Sequence, residues 1–495
     1  MTLRITDITF RNFRSYEELH LGELGMLTVL VGPNAVGKTN IVEGVQLLTA
    51  LSSFRHATID QLVRRGEESA HLRAALTDGN RLLDVALAAE GHAKRYRLNG
   101  KAKRPADLKG LVPSVTFTPD DLGLVKGSMS ARRAALDALG SQLNANYYLI
   151  QKDYEKVIRH KNRLLKDEAS PALIDSINEM LVTCGAQLTC YRAALFERLI
   201  PYTRERYEQI AGGRERFGAC YVPSWDDWEE DGAALGAAAE LGVSADVAHE
   251  PESLQEPLHL TRDDARTRLE HALAACRDEE LRRRRALVGP HADTITFMID
   301  GSNATHFGSQ GQQRTVVLAY KLAEAAVIEE VLGVKPVLLL DDVMSELDGA
   351  RREALVGYIS RDVQTFITTA NLAYFDADML AAADVVELPL KQARRGFTQA
   401  REEGKQPEEN VSRETFDAST PEEDMLSEGS QSAVAGILAR QTDVVEQSSS
   451  QLHEGGTREP FGAHEPSNVS RETFGSLAQQ ADAREASAQE KGVTA

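Results

Sequence analysis

The chain has 495 residues, 42% of them hydrophobic, and a formal charge of −19 from 56 Lys+Arg against 75 Asp+Glu. That length holds roughly two to four domains at about 100–200 residues each. No apolar run approaches the ~18–20 residues of a membrane-spanning helix, and the opening Met1-Thr-Leu-Arg-Ile-Thr-Asp is too charged for a secretory signal, so a cytoplasmic protein without membrane contact is expected. The cysteines Cys184, Cys190, Cys220 and Cys276 contain no C-x-x-C pair and read as buried reduced thiols rather than a disulfide framework or zinc site. Charge is unevenly spread. Residues 401–495 carry 8 Lys+Arg against 19 Asp+Glu, a balance of −11, which leaves −8 on the first 400. The only aromatics of residues 401–495 are Phe416, Phe461 and Phe474. So little apolar surface cannot offset chain entropy, and residues 396–495 read as a disordered acidic tail.

Leu3–Phe10 alternates with period two, as does Leu82–Ala88 more loosely, and both predict strands. Leu27-Thr-Val-Leu-Val31 is a short apolar run ending at a glycine, the pattern of a buried strand. From 128 to 210 glycine and proline become sparse, and Leu136, Leu139, Leu143, Tyr147, Ile150, Tyr154 and Ile158 recur at helical spacing. Residues 223–258 read as a loop excursion, 260–285 as helix, and 293–300 as strand. A helix near 309–331, the strand Pro336–Leu340, a helix near 349–360 and the strand Gln364–Thr368 follow. The predicted architecture is therefore an α/β lobe split by a mainly helical insertion. Residues 1–120 form its first part, 121–288 the helical lobe, and 289–395 its second part.

Gly32-Pro33-Asn34-Ala35-Val36-Gly37-Lys38-Thr39 fits the phosphate-binding pattern G-x-x-x-x-G-K-[ST] in its required setting, between a strand and a helix. Glycines let backbone N–H groups turn toward phosphate oxygens, and the helix N-terminus adds positive potential. Lys38 suits the β/γ-phosphates of ATP and Thr39 suits Mg²⁺. The strand Pro336–Leu340 ends in Asp341 and Asp342, predicting Asp341 at the metal and Asp342 at the attacking water. Ser309-Gln310-Gly311-Gln312 at a helix start offers a hydroxyl and free N–H groups, a second anion edge, though an ordinary helix cap reads the same way. Two chains placed head to tail would sandwich two ATP molecules, each between one Lys38 loop and the other chain's Ser309, Gly311 and Gln312.

This order of motifs resembles the ABC-type P-loop ATPase head and, within it, the RecF family of DNA replication and repair proteins. Supporting stretches over residues 1–395 are Asn12-Phe-Arg-Ser-Tyr16, Ser53-Phe-Arg55, Phe117-Thr-Pro-Asp-Asp-Leu122, Leu124-Val-Lys-Gly127, Arg132-Arg133 with Leu136-Asp137, Gly289-Pro-His291 and Leu338 through Asp348. The resemblance implies ATP-dependent binding to gapped duplex or single-strand/double-strand junctions, in the repair of DNA damage. It further implies work with RecO and RecR in loading the RecA recombinase, weak DNA-stimulated ATP hydrolysis, and dimerisation on ATP. The chain departs from many ABC ATPases: there is no glutamine between Gln61 and Gln142, no histidine between His306 and His453, and the second acid is the shorter Asp342. These departures predict slow turnover. Ala292-Asp293-Thr294 replaces the family's Arg-Asp-Asp, which leaves His291 as a candidate near the nucleotide. An ATPase subunit of a transporter would carry the missing glutamine and histidine. A chromosome ATPase of the SMC type would need far longer heptads than the ~170 residues between the two halves allow.

Lys94, Arg95, Arg97, Lys101, Lys103 and Arg104 surround the turn Asn99-Gly100 and predict a basic hairpin ridge for DNA phosphates, against the plainer reading of a solvated hairpin. Arg282–Arg285 reads as partly paired with Asp278, Glu279 and Glu280; Arg159, Lys161 and Arg163 are weaker candidates. Asn410-Val-Ser-Arg-Glu-Thr-Phe416 recurs identically as Asn468–Phe474. Two copies are too few for a solenoid. One coding of its first six residues, AAT-GTT-TCA-CGT-GAA-ACA, contains the palindrome TGTTTCACGTGAAACA, which resembles the parS sites bound by the partitioning protein ParB. The repeat is read as kept for its codons, with a peptide motif or a functionless duplication as the other readings.

Overall fold

The computed structural model describes residues 2–228, 260–359 and 362–389. Chain contacts divide Met1–Glu409 from Asn410–Ala495, and every described residue belongs to the first unit. The acidic tail, its repeat and residues 229–258 of the expected excursion lie outside the described residues.

The strands are β1 (Arg4–Phe13), β2 (Tyr16–Leu21), β3 (Leu27–Val31), β4 (Ser69–Thr77), β5 (Leu82–Glu90), β6 (Ala93–Leu98), β7 (Lys101–Lys103), β8 (Ser114–Phe117), β9 (Phe217–Val222), β10 (Thr294–Ile299), β11 (Ser302–Asn303), β12 (Val337–Asp341), β13 (Thr365–Thr369) and β14 (Asp384–Glu387). They form an antiparallel sheet in the order β2-β1-β4-β5-β6-β7, a parallel sheet β14-β3-β13-β12-β8, and a small sheet β11-β10-β9. The alternation at the N-terminus has one irregularity. Ile5 and Ile8 are both buried although three residues apart, because a bulge between Ile5 and Asp7 restores the inward phase. β3 is buried along most of its length because β13 and β14 flank it and helices and sheet cover its faces.

The helix Lys38–Thr49 lies between the two larger sheets and is buried almost all round. Gly44 permits this: a Cβ there would stand 2.4 Å from the Phe10 ring of β1. Opposite, the helical insertion is built on Met129–Leu143, Ala145–Lys166 and the 41-residue Pro171–Ala211, which continues through Pro201 and ends at Gly212 with φ 68°. The helix Gln310–Leu332 packs along that long helix and joins insertion to parallel sheet in one apolar core.

Two expectations are refined here. The continuous helix of 260–285 is broken at Cys276 into Arg262–Ala275 and Arg277–Arg283. Asp278, Glu279 and Glu280 sit in the first turn of the second piece and Arg282 and Arg283 in its last, the charge order that suits a separate short helix. In addition, β9 belongs to residues 121–288 yet pairs with β10 from 289–395, so these segments share a sheet. All four cysteines are free; Cys184 and Cys276 are buried, Cys190 and Cys220 half-buried.

Candidate functional site

The 32–39 loop leaves the C-terminal end of β3, between β13 and β14, as expected for a parallel sheet whose strand ends open onto a ligand crevice. Gly37 adopts φ 106°, and a Cβ there would lie 2.9 Å from both Ser15 Oγ and Tyr16 Oη. Bare backbone is therefore required where this loop turns. Lys38 is buried, and its Nζ donates to the carbonyls of Gly32 at 2.7 Å and Pro33 at 3.0 Å. Those bonds lay the ammonium along the inside of the loop.

Thr39 and Asp341, 302 positions apart in sequence, meet directly: Thr39 Oγ1 donates to Asp341 Oδ1 at 2.9 Å. Thr368 Oγ1 at the end of β13 donates to the same oxygen at 2.8 Å. Burial pushes the Asp341 carboxyl above its ordinary range, while these two donors and the nearby Arg55 charge pull it back. Asp342 follows at φ 54°, its N–H donating to Thr368 Oγ1 at 2.9 Å. The Thr39 hydroxyl and Asp341 carboxylate are hard oxygen donors in contact, and the bare-backbone turn at Gly37 admits phosphate; the residues fit ATP and Mg²⁺.

Sequence reasoning missed the group beneath this loop. Glu43 is fully buried and receives a two-pronged contact from Arg14, Nε to Oε2 at 2.8 Å and Nη2 to Oε1 at 2.7 Å. Ser53 Oγ adds a bond of 2.6 Å, and Arg55 Nη1 lies 3.6 Å from Oε2. Arg55 also donates to Asn40 Oδ1, and Asn40 Nδ2 to Ser15 Oγ. The motifs at 12–16 and 53–55 thus brace the helix behind Lys38. The available signal was an acid among Ile41, Val42 and Val45 on an apolar helix, which must be paired if buried.

Ser309 caps Gln310–Leu332 with φ −60° and ψ 158°. Its Oγ accepts from Gln312 N–H at 3.2 Å, and its own N–H donates to Gln312 Oε1 at 2.7 Å. Both readings of this motif coincide in one geometry: Ser309 is a helix cap, and it sits exposed at a positive helix end. Arg351 Nη2 donates to the Gly311 carbonyl at 2.6 Å, and a Cβ at Gly311 would lie 3.2 Å from that nitrogen. Among the described residues, no hydrogen bond joins Ser309, Gly311 or Gln312 to the 32–39 loop of the same chain.

The basic hairpin forms at Asn99-Gly100, both with positive φ. The expected ridge, however, is split by the pleat. Arg95 and Arg97 face outward, whereas Lys94, Tyr96 and Leu98 take the inward phase, and the register Tyr96↔Lys103, Leu98↔Lys101 puts Lys101 and Lys103 on that second face at the sheet edge. Burial lowers the Lys94 pKa, and the Glu43 charge partly restores it. Arg95 pairs with Glu90 and Arg104 with Asp107.

Other cations are also structural. Lys161 is fully buried against Glu280 at 2.7 Å, which removes it as a phosphate contact. Arg282 and Arg283 pair with Glu279, and Arg284 with Glu168. His291 is bonded to Tyr154 Oη at 2.6 Å and faces the Ala286 carbonyl at 3.3 Å, partners in and beside the helical insertion rather than in the 32–39 loop. Burial pushes its pKa down to about 4.

The family profile described as RecF/RecN/SMC N terminal domain matches residues 4–388. The chain is 35% identical over 387 residues to the DNA replication and repair protein RecF of Synechococcus sp. (strain JA-3-3Ab), covering 76% of this chain and 94% of that protein. It is 33% identical over 389 residues to RecF of Geobacillus thermodenitrificans (strain NG80-2), covering 77% and 96%. A solved structure described as the recombination mediator protein RecF-ATPrS in the RecFOR pathway superposes with a TM-score of 0.65 at 27% identity, covering 76% of this chain and 94% of that one. The corresponding RecF-ATP structure gives 0.63 at 28% identity, covering 75% and 94%. With its nucleotide loop, paired acids and capped Ser309 helix on an ATPase-head fold, the chain belongs to the RecF family of DNA replication and repair proteins.

Proposed function

We propose that this protein is a cytoplasmic, ATP-dependent DNA-binding protein of recombinational repair and replication. It recognises gapped duplex and single-strand/double-strand junctions, and acts with RecO and RecR in loading RecA. Two copies close head to tail around two ATP molecules. Gly32–Thr39 of one copy holds the triphosphate, with Lys38 on the β/γ-phosphates. Ser309, Gly311 and Gln312 of the other copy close on the γ-phosphate. Mg²⁺, held by Thr39 and Asp341, would neutralise phosphate charge. Asp342 orients the attacking water, and hydrolysis is weak and stimulated by DNA. The water-orienting supports are few, since neither the glutamine nor the histidine of many ABC ATPases is present.

The observation that supports this reading is the Thr39–Asp341 contact, which brings the nucleotide loop and the acid-tipped strand together. The test is DNA affinity on duplex, single-stranded and gapped substrates, with and without ATP, for the wild type and Lys38→Met. The wild type is expected to bind gapped DNA at least tenfold more tightly with ATP, and Lys38→Met to lose that difference. Equal affinities with and without ATP on every substrate would overturn the proposal.

A further inference from the structure

The long insertion helix Pro171–Ala211 reaches the Ser309 motif through a single carboxylate. Glu215 stands just past the turn Gly212-Gly213, both at positive φ, that ends this helix. Its Oε2 accepts from Tyr207 Oη, in the helix's last turns, at 2.5 Å. Its Oε1 accepts from Gln312 Nε2 at 2.9 Å. Tyr207 is fully buried, so one end of this chain of bonds is anchored in the core.

We infer that Glu215 is a positioning residue for the Ser309 edge: it dictates which way the Gln312 amide points and so keeps the Ser309 N–H bonded inside the cap, leaving the hydroxyl as the proton the motif can offer. Each step follows from what the groups can donate. An ionised carboxylate only accepts, so Gln312 must turn its NH₂ toward Glu215. The Gln312 carbonyl oxygen is then left to accept the Ser309 N–H, at 2.7 Å. Ser309 Oγ in turn accepts the Gln312 backbone N–H at 3.2 Å, so the hydroxyl proton is not used inside the cap. That proton remains available to donate to an anion, and a phosphate oxygen of the second copy's nucleotide is the acceptor this site would meet. This deepens the head-to-tail reading above and rests on it. It also gives the insertion a direct route to the nucleotide interface: a shift of the Tyr207 turn would release Glu215 and, with it, the Gln312 amide.

The decisive variant is Glu215→Lys, which offers only protons where the carboxylate accepts. Facing an ammonium, Gln312 must present its oxygen there and its own NH₂ to the Ser309 N–H, donor against donor. Two readouts separate the inference from the sandwich itself. First, hydrogen exchange on nucleotide-free protein is expected to run at least fivefold faster in peptides spanning 308–312 for Glu215→Lys, and Glu215→Lys/Gln312→Glu is expected to restore protection, because a carboxylate at 312 accepts from both sides. Second, ATP-dependent dimerisation followed by sedimentation is expected to weaken at least tenfold in Glu215→Lys, with ATP binding to the monomer within twofold of wild type. Unchanged exchange in Glu215→Lys, or no rescue in the double variant, overturns the positioning role whether or not the protein dimerises. A wild type that fails to dimerise on ATP overturns the sandwich reading instead, while the exchange result still decides the role of Glu215.

Discussion

Glu43 shows how a single residue supports a site it does not line. Its carboxylate is out of water, and three neighbours, Arg14, Arg55 and Ser53, supply its compensation. Removing the charge leaves two arginines facing a neutral group at the base of the nucleotide loop. Breaking a buried pair in this way costs about 3–5 kcal/mol. Glu43→Gln is therefore expected to lower unfolding free energy by roughly that amount in urea titration, and to weaken nucleotide binding; an unchanged midpoint would contradict the account. His291 carries a second residue-scale expectation. Its folded pKa of about 4 lies below the ordinary 6.5, so the native state favours the neutral ring. Between those values the unfolded chain binds more protons than the native one. Stability is then full above pH 6.5 and falls as pH drops toward 4, by up to about 3 kcal/mol from this group. His291→Gln should flatten that part of a pH-stability profile; an equally steep fall in the variant would show that other groups cause it.

At the scale of elements, legibility followed the physics of burial. β3 and β12 were readable because parallel strands covered on both faces leave near-continuous apolar runs, and the loop and acids at their ends inherited that certainty of placement. The basic hairpin was readable as a hairpin, since Asn99-Gly100 suits the positive φ of a tight turn, but not as a surface. A run of cations gives no hint of which pleat face each occupies until register is known. Lys101 and Lys103 share an exposed edge strand, whereas Lys94 is half-buried in β6 and Arg104 is paired with Asp107. Lys101→Glu/Lys103→Glu is thus expected to weaken duplex binding about tenfold at low salt and to shrink the salt slope by roughly two, with ATP binding intact. Lys94→Glu, on a half-buried side chain, is expected instead to leave duplex binding and its salt slope near those of the wild type. Fluorescence anisotropy across a salt series separates them, and equal DNA defects in both variants would contradict the split. The bulge at Ile5/Asp7 was equally hidden, because pattern alone shows a broken alternation without saying which residue is extra.

Across the whole molecule, distant motifs meet through buried polar groups rather than through sequence neighbours. Arg192 of the long insertion helix holds Asp137 by two bonds, at 2.7 and 2.8 Å, and lies 3.4 Å from Asp293, while Tyr147 donates to Asp137 at 2.7 Å. Arg133 donates to the Asp293 carbonyl at 2.5 Å. The stretches around 132–137 and 289–293 are thereby tied to the same helix, and β9–β10 pairing adds backbone bonds between insertion and second ATPase segment. None of this pairing was readable beforehand, because sequence spacing carries no information on which buried charges meet. The insertion thus packs directly on the Gln310–Leu332 helix that begins at Ser309.

The central claim is that the catalytic site is shared between two copies, and it is tested most directly by mixing two disabled variants. Lys38→Met removes the phosphate lysine and Ser309→Arg blocks the opposing edge, so each alone should lack ATP turnover. In a mixed head-to-tail dimer, Lys38 of the Ser309→Arg chain faces Ser309 of the Lys38→Met chain, and one complete site is rebuilt. ATP turnover in the presence of DNA is expected to reappear on mixing, at up to about a quarter of the wild-type rate per chain if pairing is random and one of two sites works. A mixture as inactive as its separate components would contradict a shared site.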